Sequence, residues 1–200
     1  YPERHQIIVT TNYDDLQEEA FRMAGEPFDL VYYMARGKAQ GKFYHLAPSS
    51  QELVLIERPN EYLAVSREHC AVILKIHGAV ARDDPVYDSY VITEDDYIDY
   101  LTRTDIANLL PAKLVSELKQ SHFLFLGYSL QDWNLRVILH RLWGDQQLSY
   151  HSWAIQRQPK PLDQQFWSKR DVQIFPLELK DFLDQLNSRL DALPPIRGVQ

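Results

Sequence analysis

The sequence predicts an α/β fold in which a parallel sheet is covered by helices on both faces. Three observations predict it. Apolar, β-branched runs such as QIIV (6–9) and AVILKI (71–76) recur along the chain, without the alternation of a sheet wetted on one face. Stretches with apolar residues at helical spacing lie between them. Strands and helices alternate instead of segregating, and parallel pairing needs such crossover connections.

Two hundred residues, 45% hydrophobic and 12% aromatic, suffice for one domain with a sizeable core and argue against disorder. That domain is expected over residues 1–193, with DALPPIRGVQ at the end of the chain and 194–200 as its exit linker. There are 21 basic and 28 acidic residues, giving a net charge of −7. No Lys/Arg cluster stands out, so direct nucleic-acid binding is not expected. The single cysteine, Cys70, excludes an internal disulfide and a four-cysteine zinc site. It points to a reducing, cytoplasmic setting. No apolar run approaches the roughly 20 residues of a membrane span, and no signal peptide is visible. The chain starts at Tyr1 without an initiator Met and soon enters a strand, which reads as a piece of a longer polypeptide.

Taken in order, residues 6–10 read as a strand and 13–24 as a helix, with Leu16, Ala20, Phe21 and Met23 on one stripe. FDLVYYM (28–34) is a second strand. Residues 35–50 are polar and marked by Gly and Pro, so they read as an excursion. Within 35–62, which suits a lid or a partner-binding insertion, QELVLI (51–56) forms a short strand. AVILKI is a buried strand, and YVIT (90–93) another. Thr93 is placed to cap EDDYIDYL, whose acids suit the positive first turn of a helix. A helix over 109–120 leads to HFLFLGY (122–128), the most apolar strand. An amphipathic helix over 130–143, a strand at 151–156, a helix over 161–169, a strand at 172–177 and a helix over 179–192 complete the chain.

In such sheets ligands sit beyond the carboxyl ends of the strands. Odd polar residues cluster at three of those ends: TTNYD after 6–9, HG after 71–76, and GYSLQDWN after 122–126. Asn12 offers an acceptor and two donors and Asp14 offers acceptors, which suits a ribose and a carboxamide. One such residue is explained as a helix cap worth ~1 kcal/mol; four or five together are not. His77 reads either as a general base, with an ordinary pKa near ~6.5, or as a histidine satisfied by a loop carbonyl. Gly78 lets another group approach closely. Gly127, Tyr128 and Ser129 stand between a strand and a long helix, where a phosphate can meet free N–H groups. Ser129 also serves as an N-cap, and the two roles are compatible. Asp132 and Asn134 suit loop pinning equally well.

In order, TTNYD, KIHG and FLGYSLQDWNL resemble the NAD-binding domain of sirtuins, and within it the prokaryotic sirtuin-like domains that hydrolyse NAD in antiphage defence. VITEDDYIDYL and HSWAIQ resemble the same branch, and the likeness spans roughly 6–190. The resemblance implies a Rossmann-like sheet and NAD as substrate. It gives Thr10, Thr11, Asn12, Asp14, Gly78, Gly127, Tyr128 and Ser129 as binding residues, and Asn12 and His77 as catalytic ones. Asn12 would contact the ribose next to nicotinamide, Asp14 the carboxamide, and His77 would be the base. Thr11 stands where the family has Gln. One cysteine cannot build the zinc ribbon of deacetylating sirtuins, so no metal is expected and NAD hydrolysis is favoured over deacylation. The family's Gly-rich pyrophosphate turn has no counterpart in residues 1–9: either it lies upstream of Tyr1 in a parent chain, the reading favoured here, or this module has lost that half of the pocket. Expected partners are NAD or ADP-ribose and other domains or subunits of a defence protein; a homo-oligomer is compatible with the sequence. The alternative is a non-catalytic sensor of NAD or ADP-ribose. Trp133, Trp143, Trp153 and Trp167 read as packing residues, and His5, His45, His69, His122, His140 and His151 lack metal-ligand spacing.

Overall fold

A computed structural model describes residues 5–48, 50–81, 86–103, 106–130, 136–140 and 150–193. The chain divides into two compact units, Tyr1–Leu118 and Lys119–Gln200. The expected exit linker at 194–200 lies outside the described residues.

The first unit holds β1 (Ile7–Thr10), α1 (Leu16–Ala24), β2 (Phe28–Tyr33), β3 (Phe43–Leu46), β4 (Leu53–Leu55) and β5 (Ala71–Lys75). Their five-stranded sheet runs β1-β5-β2-β3-β4. All five residues of β5 are buried, as its interior place between β1 and β2 requires. It pairs in parallel with β1 and β2, and the register puts Lys75 opposite both Thr10 and Tyr32. Leu30, Tyr32, Met34 and Ile73 form a core on one face, against which Phe21 and Phe28 pack.

The fold is α/β as predicted, but its sheet is mixed. The expected excursion at 35–50 contains β3, antiparallel to β2, and β4 is antiparallel to β3. The cause is a tight turn: Gly37 and Gly41 have φ of 82° and 83°, and the Gly41 N–H donates to the Met34 carbonyl at 2.8 Å. So short a connection brings the chain straight back, whereas a parallel neighbour needs a long crossover. Helix α1 begins at Leu16 instead of 13, because Asp14 Oδ1 accepts the Leu16 N–H (3.2 Å) in an Asx turn.

Two-residue strands β6 (Gly78–Ala79) and β7 (Ser89–Tyr90) pair antiparallel. The strand expected over 90–93 is this short because the helix cap takes its N–H groups. Asp96 Oδ2 accepts from Ile92 N (3.2 Å) and Thr93 N (3.0 Å), while Thr93 Oγ1 accepts from Asp96 N (3.1 Å). This reciprocal capping box starts α2 (Glu94–Arg103) and bears out Thr93 as its cap. The single helix expected over 109–120 is two, α3 (Ile106–Leu109) and α4 (Ala112–Lys119). Pro111 separates them, lacking an N–H and biasing the residue before it away from helix.

The second unit contains a parallel sheet ordered β10-β9-β8, from β8 (Leu124–Phe125), β9 (Ser152–Gln156) and β10 (Val172–Pro176). Residues 136–140 are helical (α5), followed by α6 (Pro161–Ser168) and α7 (Leu179–Asp191). The strand expected over 122–128 pairs at only two residues. Before them, the Phe123 N–H donates to the Ser152 hydroxyl (3.1 Å), and beyond them Gly127 turns the chain with φ 71°. Most of the helix expected over 130–143, with Asp132, Trp133, Asn134 and Trp143, lies outside the described residues. Trp167 is buried and donates to the Leu130 carbonyl at 3.2 Å.

Candidate functional site

The segment 10–15 leaves β1 at the carboxyl end of the parallel strands, and it is stitched to the segment that carries His77. The Thr10 carbonyl accepts from Ile76 N (3.0 Å) and the Tyr13 carbonyl from Val80 N (2.8 Å). The Asp14 carbonyl accepts from the Lys75 ammonium. Residues 75–80 thus hold the loop on both sides of His77. Inside the loop, the Asn12 N–H donates to Thr10 Oγ1 (3.0 Å), a Thr turn that uses one of the expected polar groups locally. Asp14 spends an oxygen on the Leu16 N–H. The Asn12 side chain is exposed, Thr11, Asp14 and Asp15 are half-buried, and Tyr13 stacks on Tyr90 with centroids 5.1 Å apart.

His77 is only 5% exposed. Tyr97 and Tyr100 each meet its ring edge-on at 5.3 Å, and its carbonyl accepts the Val91 N–H at 2.9 Å. The group that approaches Gly78 is the chain's own backbone. Gly78 has φ 97°, and a Cβ there would lie 2.0 Å from the Ser89 carbonyl oxygen. Ser89 in turn accepts the Ala35 and Arg36 N–H groups on its hydroxyl, at 2.9 Å each. Glycine at 78 therefore lets β7 close beside His77.

Beneath the loop lies a buried ion pair: Lys75, 1% exposed, meets Glu18 of α1 at 2.5 Å. The side chains of β5 alternate between faces, so Lys75 shares the α1 face with Ile73.

In the second unit, Gly127 and Ser129 are exposed and Tyr128 is half-buried. The nearest heavy atom to a Cβ at Gly127 would be Leu179 Cδ2 at 3.9 Å, so the positive φ, not space, calls for glycine. The Tyr128 carbonyl accepts from Gln156 Nε2 at 3.2 Å.

Residues 6–175 match the family model of the SIR2-like domain. The chain belongs to the SIR2-like domain family. This SIR2-like domain is also similar to a protein named NAD(+) hydrolase ThsA, from Acinetobacter baumannii (strain 532279), with 31% identity over 134 residues. The match covers 66% of the chain and 21% of that protein's length. The matched stretch thus spans about a fifth of this relative's length.

Among the described residues, no group of three or more His, Cys, Asp or Glu side chains is arranged to hold a metal ion. Among them, too, no helix is long and apolar enough to cross a membrane. His45 is a core histidine: its ring contacts Asp29 Oδ1 at 2.7 Å and Tyr62 Oη at 2.8 Å. Cys70 donates to Asp29 at 3.5 Å, and burial, with the Asp29 charge beside it, pushes its thiol up to about 11.

Sequence reasoning missed Lys75, Glu18, Tyr97, Tyr100 and Ser89. A signal for Lys75 was present, since a lysine within AVILKI is almost never buried unless paired. Nothing local marks the other four, which meet the site from other elements.

Proposed function

We propose that this SIR2-like domain cleaves NAD to nicotinamide and ADP-ribose, as the effector part of a larger prokaryotic defence protein. The observation that carries the reading is the loop bearing Asn12 and Asp14, bonded through Ile76, Val80 and Lys75 to the segment that bears His77. Groups fixed in this way act by positioning and by electrostatics, the dominant contributions where charge develops on a ribose. The C1′–N bond breaks with its electron pair leaving on nicotinamide. Water supplies the new C1′–O bond, and its proton passes to His77. Asn12 positions the ribose, Asp14 takes the carboxamide, and the carboxylates of Asp14 and Asp15 favour the developing cation. Thr10 and Gly78 hold the loop and the His77 turn in shape, and Thr11 adds a short hydroxyl contact to the ribose. Gly127, Tyr128 and Ser129 keep the phosphate and ribose role.

The test is nicotinamide release from NAD by the full parent protein and its His77→Ala variant. The expected result is release that falls by about 100-fold or more in the variant, the scale of general-base catalysis. Equal release by both proteins refutes the role of His77. One observation favours a second reading, a non-catalytic sensor of NAD or ADP-ribose: His77 is 5% exposed within an aromatic surround. A sensor predicts a rise in melting temperature with NAD and no nicotinamide released.

A further inference from the structure

We propose that Lys75 is a positioning residue that sets the Asn12–Asp14 loop for the reaction through the Asp14 carbonyl. The inference rests on the NAD reading above and deepens it. Lys75 occupies the last position of β5, an interior strand, opposite Thr10 and Tyr32, where an apolar side chain would complete the core at no electrostatic cost. Instead the chain buries an ammonium and the carboxylate of Glu18, which are 1% and 3% exposed. As a stabilising device the pair is poor. Glu18 Oε2 is buried and makes no hydrogen bond among the described residues, so part of the desolvation cost is uncompensated.

What the pair does achieve is geometric. Glu18, in the first turn of α1, holds the ammonium at 2.5 Å, and the ammonium donates to the Asp14 carbonyl. This tie from 75–80 to the loop is made by a side chain, and it falls on the residue proposed to hold the carboxamide. The ties at Ile76 and Val80 come from backbone groups that any residue supplies. A loop fixed at Thr10 and Tyr13 but released at Asp14 keeps its path and loses its aim.

The experiment uses the full protein, Glu18→Gln, and the double variant Lys75→Met with Glu18→Met. The double variant leaves no buried charge unpaired, and such apolar replacements are often neutral for stability. Its melting temperature is expected to stay close to wild type, while kcat falls by about 10- to 100-fold with KM little changed, as for a misplaced reacting group. Glu18→Gln keeps the Lys75 donor on Asp14 and is expected to stay within about threefold of the wild-type kcat, while its melting temperature falls because the Lys75 charge is left buried without its ionic partner. A double variant with wild-type kcat overturns the inference. Amide exchange at Leu16 and Val80, bonded to Asp14 Oδ1 and to the Tyr13 carbonyl, reads the loop without activity. In the double variant exchange at Leu16 should quicken by about tenfold, with Val80 affected less. Unchanged exchange at Leu16 refutes the positioning role even if no protein cleaves NAD, whereas absent cleavage by wild type refutes only the NAD reading.

Discussion

Substituting Gly78 by Ala tests whether glycine follows His77 because β7 must close beside it. The added Cβ would lie 2.0 Å from the Ser89 oxygen, 2.7 Å from Tyr90 Cα and 2.8 Å from the Ser89 carbonyl carbon, all backbone. No side chain can swing away, so β6 and β7 must separate. A non-glycine residue at φ 97° adds about 1–3 kcal/mol of backbone strain. Separation also forfeits the Val91 N–H bond to the His77 carbonyl and a bond of the β6–β7 pair, each worth about 1 kcal/mol. The total is roughly 3–5 kcal/mol, a large part of an ordinary stability of about 5–15 kcal/mol. For a chain of this size that lowers the melting temperature by roughly 6–20 °C.

Thermal unfolding by circular dichroism measures the loss, and amide exchange at Val91, Ala35 and Arg36 locates it, since the last two bond to the Ser89 hydroxyl. Gly25→Ala is the control. Gly25 has φ 69° with nothing within 4 Å of an added Cβ, so only the backbone cost of about 1–2 kcal/mol applies. If Gly78→Ala melts within about 2 °C of wild type and Val91 keeps its protection, the close-approach argument is wrong.

Two further predictions concern the polar groups that support the first unit. With its thiol pushed up to about 11 from an ordinary 9.0, and 3% exposed, Cys70 should resist iodoacetamide at pH 8 and react once the chain is unfolded in urea. The folded state holds that proton more tightly, so its contribution is complete below pH 9 and is lost as pH rises toward 11; the loss, roughly 2–3 kcal/mol, should be absent from the alkaline urea-denaturation profile of Cys70→Ala. Asp96→Ala removes the capping box and the 2.8 Å pair with Arg36, lowering stability by about 1–2 kcal/mol. Hydrogen bonds from Arg36 and the Thr93 N–H hold the Asp96 carboxyl well below the usual range. Its contribution is present above the unfolded carboxylate pKa of 3.8 and lost as pH falls through the depressed value, so denaturation curves of wild type and variant should differ by a constant amount from pH 7 to 5 and converge in acid.

Much of the fold is legible in the chain because its signals are local. The β5 run is apolar throughout, and the helix starting after Thr93 carries its cap and its acids within four residues. Boundaries drifted where a distant or non-apolar partner intervened. Asp14 delays α1 by capping Leu16, Pro111 divides a helix that periodicity reads as one, and Asp96 captures the N–H groups that would have extended β7. β3 was missed because its pattern, FYHL, alternates between buried and half-buried residues beside a polar Gly turn, which resembles a loop.

The sequence by itself determined the α/β class, the alternation of strands and helices and the three strand ends carrying TTNYD, HG and GYS, since burial pattern and spacing along the chain carry that information. It also carried the ordered motif that marks the family. Only the tertiary structure decided what those residues meet. Lys75 lies sixty-one positions from the Asp14 carbonyl it bonds, and Ser89 reaches back fifty-three and fifty-four to Arg36 and Ala35. Gly78 has its meaning only once β7 lies against it. Such contacts depend on sheet register and on which face each side chain takes, and both are fixed only when the strands pair.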